Sequence, residues 1–170
     1  MNNIPKDLIY KFDEIKFKDE RGFNKINFED DTNNISLKES FSKKNVFRGM
    51  HIQMPPNIQS KYIRVLKGKI IDFIIPLDSS RQDFGHIYSF ELNELDCFNL
   101  IPSYCAHGFY ALEDTSFQYI CVGKYNEESE ISIKLPKHEL INKTQLTSIK
   151  DKSGIELDKA LEVCAGLVWK

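Results

Sequence analysis

The chain has 170 residues, 41% of them hydrophobic and 28% charged, and its 23 basic and 25 acidic side chains leave a net charge of −2. That length suits one domain spanning residues 1–170, which buries roughly 70% of the surface of its unfolded chain and needs no disulfide or metal to hold a core. No basic excess offers a footprint for nucleic acid, no apolar stretch is long enough for a membrane span, and the opening Met-Asn-Asn-Ile-Pro-Lys-Asp is not a signal peptide. The expectation is a soluble, cytoplasmic protein.

The first 45 residues are polar, with strand-like pieces at Leu8–Phe12, Glu14–Phe17 and Asn34–Leu37 and a turn at Asp19-Glu20-Arg21-Gly22. From Val46 the texture changes to short apolar runs between turn signals. They are Val46–Gln53, Tyr62–Leu66, Lys69–Leu77, His86–Leu92, Cys97–Ile101, Gly108–Leu112, Phe117–Val122 and Glu130–Leu135. Rich in Ile, Val, Phe and Tyr and spaced about ten residues apart, they predict a sandwich or barrel. Lys67-Gly68 reads as a tight hairpin turn. Only the tail reads as helix, at about 154–168, where Ile155, Leu157, Ala160, Leu161, Cys164 and Leu167 return with helical period. The fold class is all-β, a jelly roll with a C-terminal helix.

Several polar residues interrupt the apolar runs. Asp72 sits inside Lys69–Leu77, which is apolar on both strand faces, and a carboxylate there is costly to bury without a partner. It reads either as a register-fixing acid with a basic partner or as a site group. On a regular strand Arg48 and His51 face opposite sides, but Gly49 between them allows a bulge that turns both into one cavity. Lys61 opens a strand after Pro55-Pro56-Asn57, and His107 stands in a turn of small residues; either is compatible with a structural role. Cys97, Cys105, Cys121 and Cys164 form no close pair and read as reduced thiols. Metal-binding β-barrels often use a His-x-His pair, and here Gln53 stands where the second histidine would be, so no metal is expected. No phosphate-binding glycine loop and no nucleophile elbow occurs.

Taken together, these segments carry a resemblance. Asp19-Glu20-Arg21-Gly22-Phe23, Ser40 through Gln53 with its Arg48-Gly49-Met50-His51, Gln59-Ser60-Lys61, Gly68 to Asp72, Asp83-Phe84-Gly85 and Ala106-His107-Gly108-Phe109 follow one another as in dTDP-4-dehydrorhamnose 3,5-epimerases. About two-thirds of the chain resembles that family, whose fold is a cupin jelly roll. The resemblance implies an isomerase that inverts C3, C5 or both in a nucleotide-linked 4-keto-6-deoxy sugar or 4-keto-heptose. It implies no cofactor, a homodimer in which a strand completes the partner's barrel, and a place in surface-polysaccharide sugar synthesis. The matching residues give His51 as base, Tyr119 as acid and Lys61 beside the substrate carbonyl. Arg21, Arg48, His107 and Glu130 contact substrate, and Tyr125 stacks on the nucleotide base.

The chain also departs from the family pattern. Ile26 stands where a glutamate is usual and Ser36-Leu37-Lys38 where Gln-x-Asn is usual, on the nucleotide half, so dTDP, GDP and CDP all stay open as the carrier. A family aspartate that orients the histidine is expected near the carboxyl end; Ile131-Ser-Ile-Lys-Leu-Pro-Lys-His138 stands there without one. Asp72 is therefore the candidate partner for His51 and joins the catalytic set. The alternatives are a 3,4-ketoisomerase sharing the enolate chemistry, and a catalytically silent cupin that binds a sugar nucleotide.

Overall fold

The computed structural model describes residues 15–138 and 146–169. The piece at Leu8–Phe12 lies outside the described residues. Eleven strands run among those that are described: β1 Ile15–Asp19, β2 Gly22–Asp30, β3 Ile35–Ser42, β4 Phe47–Gln53, β5 Ser60–Lys67, β6 Lys69–Pro76, β7 Tyr88–Asn93, β8 Asn99–Ile101, β9 Cys105–Ala111, β10 Thr115–Val122 and β11 Glu130–Ser132. They form two antiparallel sheets with the orders β1-β2-β3-β10-β5-β8 and β11-β4-β9-β6-β7. This is the jelly roll that the spacing of the apolar runs predicts. The strand β2 was not among the predicted pieces, because Gly22–Asp30 mixes charged, amide and apolar residues without strict alternation.

The sequence of β6 shows how the two layers arise. Ile70 faces the core between the sheets with Ile63, Val65, Phe109 and Phe117. Phe73 and Ile75 face the other way and pack with Phe47, Met50 and Ile52 against Ala160 and Cys164 of the C-terminal helix. A strand covered on both faces reads as a continuous apolar run rather than an alternating one. Phe73, Ile70 and Ile75 are fully buried, and each such side chain contributes about 1.5–3 kcal/mol of transfer free energy. Asp72 points inward between them.

The C-terminal segment closes the outer face. A short helix α1, Ile149–Lys152, precedes α2, Leu157–Cys164, so the predicted helix at 154–168 is shorter than its periodicity suggests. Two isolated bridges, Val46 to Leu146 and Ile133 to Ile155, bracket α1 and hold it beside β4. Gly154 lies so close to β11 that a Cβ there would meet the Ser132 carbonyl oxygen at 2.8 Å. The docking of α1 at this point matters for the site.

Candidate active site

A cavity of about 660 Å³ opens between the two sheets, within the size range of sites for small organic ligands. The five-stranded sheet supplies Arg48, His51, Gln53 and His107, and the six-stranded sheet supplies Asn24, Lys38, Lys61 and Tyr119. The β4–β9 pairing breaks register between Arg48 and His51, which is the bulge expected at Gly49. With φ at +108°, Gly49 occupies backbone space open to glycine, and a Cβ would sit 2.6 Å from the Gly108 Cα. The bulge turns Arg48 and His51 into the same cavity. Arg48 is then fixed by a hydrogen bond to Ser42 Oγ at 2.8 Å and one to the Phe41 carbonyl at 3.2 Å.

His51 is held from its two sides by carboxylates. Its Nε2 lies 2.7 Å from Asp151 Oδ1, and its Nδ1 lies 3.6 Å from Glu130 Oε1. A carboxylate only accepts, so Nε2 carries a hydrogen directed at Asp151. Ser148 caps α1 by accepting from the Asp151 amide at 3.0 Å, and Arg21 Nη1 approaches Asp151 Oδ2 at 3.4 Å. Burial works against the charge on Asp151, but His51, Ser148 and Arg21 outweigh it, and its pKa is lowered. Burial likewise opposes ionisation of Glu130; His51, Lys150 and Tyr125 outweigh that penalty and lower its pKa. Lys150 Nζ is 2.9 Å from Glu130 Oε1.

Asp72 does not partner His51. Its Oδ1 lies 2.7 Å from His107 Nε2, on the adjacent strand β9. The expectation that Asp72 orients His51 is corrected: β9 lies between β6 and β4, so His107 intercepts the carboxylate. The carboxylate on His51 Nε2 is instead Asp151, which the sequence reading does not single out. Its signal was Ser148-Ile149-Lys150-Asp151, a Ser-x-x-Asp cap at a helix start.

The opposite wall holds the other predicted groups. Lys61 lies on β5 between β10 and β8 and faces the cavity beside Cys121, so it is no solvated edge residue. Burial, with Lys38 adding like-charge repulsion, lowers its pKa; burial in turn raises that of Asp72. The Tyr119 hydroxyl donates to Asn24 Oδ1 at 2.9 Å, and burial pushes its pKa upward. At the mouth, Tyr125 is 46% exposed with Lys38 Nζ 5.4 Å from its ring centroid. Ser40 Oγ and Gln53 Nε2 are buried without a hydrogen-bond partner among the described residues, and both residues line the cavity. They offer polar contacts to a ligand.

Every site residue predicted from sequence except Asp72 lines this one cavity, and Asp72 reaches it through His107. No cluster of three or more His, Cys, Asp or Glu with metal-binding geometry occurs among the described residues.

The comparisons with known proteins agree with this arrangement. The sequence profile of a family described as dTDP-4-dehydrorhamnose 3,5-epimerase matches residues 6–159. The epimerase of that name from Salmonella typhimurium is 34% identical over 128 residues, covering 69% of this chain and 70% of that protein. The one from Shigella flexneri is 33% identical over 141 residues, covering 76% and 77%. Among solved structures, the epimerase from Sulfolobus tokodaii superposes with a TM-score of 0.63 at 28% identity, over 86% of this chain and 96% of that one. The Legionella pneumophila enzyme, solved with dTDP-4-keto-L-rhamnose, gives 0.63 at 29% identity over 85% of each chain. From this match, and from the barrel that carries it, the chain belongs to the dTDP-4-dehydrorhamnose 3,5-epimerase family of sugar-nucleotide isomerases.

Proposed function

We propose that the protein inverts C3, C5 or both in a nucleotide-linked 4-keto-6-deoxy sugar or 4-keto-heptose, by proton abstraction through an enolate. The observation that carries this reading is the placement of His51 and Tyr119 on opposite sheets across one cavity. Inversion needs a base on one face of the sugar ring and a donor on the other.

The ketone at C4 acidifies the hydrogens at C3 and C5, because loss of either gives an enolate. His51 Nδ1 takes the proton, and Asp151 holds the ring and stabilises the imidazolium that forms. The ammonium of Lys61 faces the developing oxyanion, where its charge acts strongly away from water. His107, fixed by Asp72, contacts the substrate, and Tyr119 returns a proton to the far face. Arg21, Arg48 and Glu130 bind the substrate, with the arginine forks suited to diphosphate oxygens. Tyr125 supplies a stacking surface for the base. The presence of Asp151 removes the chief argument for a silent binding protein, which was the lack of a carboxylate for His51.

The relatives' names speak for dTDP as carrier, while Ile26, Ser36 and Lys38 depart from the family on the nucleotide half. Strand β1 is exposed along its length, with Phe17 60% exposed yet also at the cavity mouth. Such an edge supports pairing with a second copy as a homodimer of 1–170 chains, which sedimentation tests. No described helix is long and apolar enough to cross a membrane.

The function is tested by incubating the protein in deuterium oxide with dTDP-, GDP- and CDP-linked 4-keto-6-deoxy sugars and following the ring protons by NMR. Exchange at C3 or C5 with inversion is expected for one carrier. Migration of the carbonyl would make the protein a ketoisomerase, and no exchange with any carrier would make it a binder.

A further inference from the structure

Asn24 is on strand β2, two strands away from Tyr119 on β10. The two strands are joined through β3, where Ser40 pairs with Asn24 on one side and Phe117 on the other. The Asn24 side chain reaches diagonally across β3, and its Oδ1 accepts the Tyr119 hydroxyl at 2.9 Å. The tyrosine ring is held from the other side by Phe117, with centroids 5.8 Å apart, and Phe117 stacks on Phe109 at 4.7 Å. Ring and hydroxyl are therefore fixed by separate contacts, and both Asn24 and Tyr119 line the cavity.

We propose that Asn24 is a positioning residue for Tyr119: it sets the direction of the phenol proton and stabilises the phenolate left after that proton is given up. This rests on the epimerase reading above. In the donation step the phenol O–H bond breaks and a C–H bond forms at the enolate carbon, leaving tyrosinate opposite the imidazolium of His51; exchange with water restores both. An amide can partner both states of the phenol. Its oxygen accepts from the neutral hydroxyl, and after a half-turn about χ2 its NH2 donates to the phenolate. A carboxylate at position 24 serves the phenol but repels the phenolate, and an alanine serves neither. Burial already works against tyrosinate here, so a donor beside it counts.

The test compares the wild type with Asn24→Ala, Asn24→Asp and Tyr119→Phe in deuterium oxide, using the same three NDP-4-keto-6-deoxy sugars as probes. Two rates are read: solvent exchange at the ring carbon, which needs only His51, and inversion, which also needs a donor across the ring. Exchange in Asn24→Ala and Asn24→Asp is expected to stay within about threefold of wild type, while inversion falls roughly tenfold or more, toward the Tyr119→Phe value. Equal loss of both rates, or no loss in either variant, overturns the proposal. A substrate-independent reading uses the 13C signal of Tyr119 Cζ, assigned by its absence in Tyr119→Phe. It should move in Asn24→Ala, and an unmoved signal contradicts the positioning role. Failure of the wild type to exchange any of the three probes sinks the epimerase reading itself, and is told apart from failure of the Asn24 inference by the Cζ shift.

Discussion

Asp151 Oδ1 lies 2.7 Å from His51 Nε2, although the two residues are a hundred positions apart. The contact joins a bulged strand of the barrel to a four-residue helix docked by two isolated bridges. Because a carboxylate only accepts, the contact makes Nε2 the donor of the pair and fixes the plane of the imidazole.

Replacing Asp151 by Asn keeps the shape but removes the charge that stabilises an imidazolium, and an amide that can turn either its oxygen or its NH2 to the ring no longer defines the tautomer. Turnover is expected to drop by about 10²–10⁴-fold, the range for losing general acid–base function, with KM changed much less than kcat. Steady-state kinetics check this; a variant within threefold of wild type would remove Asp151 from the mechanism.

The pH dependence of stability follows from the same carboxylates. Asp151 and Glu130 have pKa values below their ordinary 3.8 and 4.5. A carboxyl depressed in the native state contributes stability that is present above the unfolded value and lost as the pH falls through the native one. Denaturant unfolding of wild type, Asp151→Asn and Glu130→Gln should therefore show gaps at pH 7 that narrow on acidification below about pH 4. Gaps independent of pH would contradict the assignment.

Lys61 has the opposite sign. Its pKa lies below the ordinary 10.5, chiefly through burial and then through Lys38, so its charged form costs stability at neutral pH, and the cost fades as the pH rises through the native value. Lys61→Met is expected to melt higher than wild type at pH 7 while losing about a hundredfold or more in turnover. A lower melting temperature together with retained activity would reverse the reading.

Gly49→Ala tests the bulge. A Cβ there would stand 2.6 Å from Gly108 Cα and 2.7 Å from the His107 carbonyl oxygen, at a φ of +108°. The expected cost is about 1–3 kcal/mol or more, read by denaturant unfolding, with activity lost as Arg48 and His51 are displaced. A variant as stable as wild type would mean that the bulge does not depend on glycine.

The barrel was legible because its strands are short apolar runs between turn residues, and the doubly buried β6 announced itself as an uninterrupted one. Arg48 and His51 were legible as polar positions within an apolar run, Lys61 and His107 as polar residues next to one, and Tyr119 through the family resemblance. Asp72 reads from sequence either as an acid with a basic partner or as a site group, but which histidine it meets depends on strand order, and sequence spacing does not reveal that β9 lies between β6 and β4. Asp151 was hidden for a related reason. It comes from a segment whose helical signal is a single cap, and its position is set by bridges to Val46 and Ile133 rather than by local periodicity. Asn24 belongs to β2, whose mixed polarity gave no strand pattern.

The central claim is that His51 removes a proton from carbon beside the C4 ketone. It is tested most directly by NMR of an NDP-4-keto-6-deoxy sugar in deuterium oxide, with wild type and His51→Asn side by side. The account predicts deuterium at C3, C5 or both with the wild type, and exchange at least about a hundredfold slower with the variant. Exchange at a near wild-type rate in His51→Asn would contradict it.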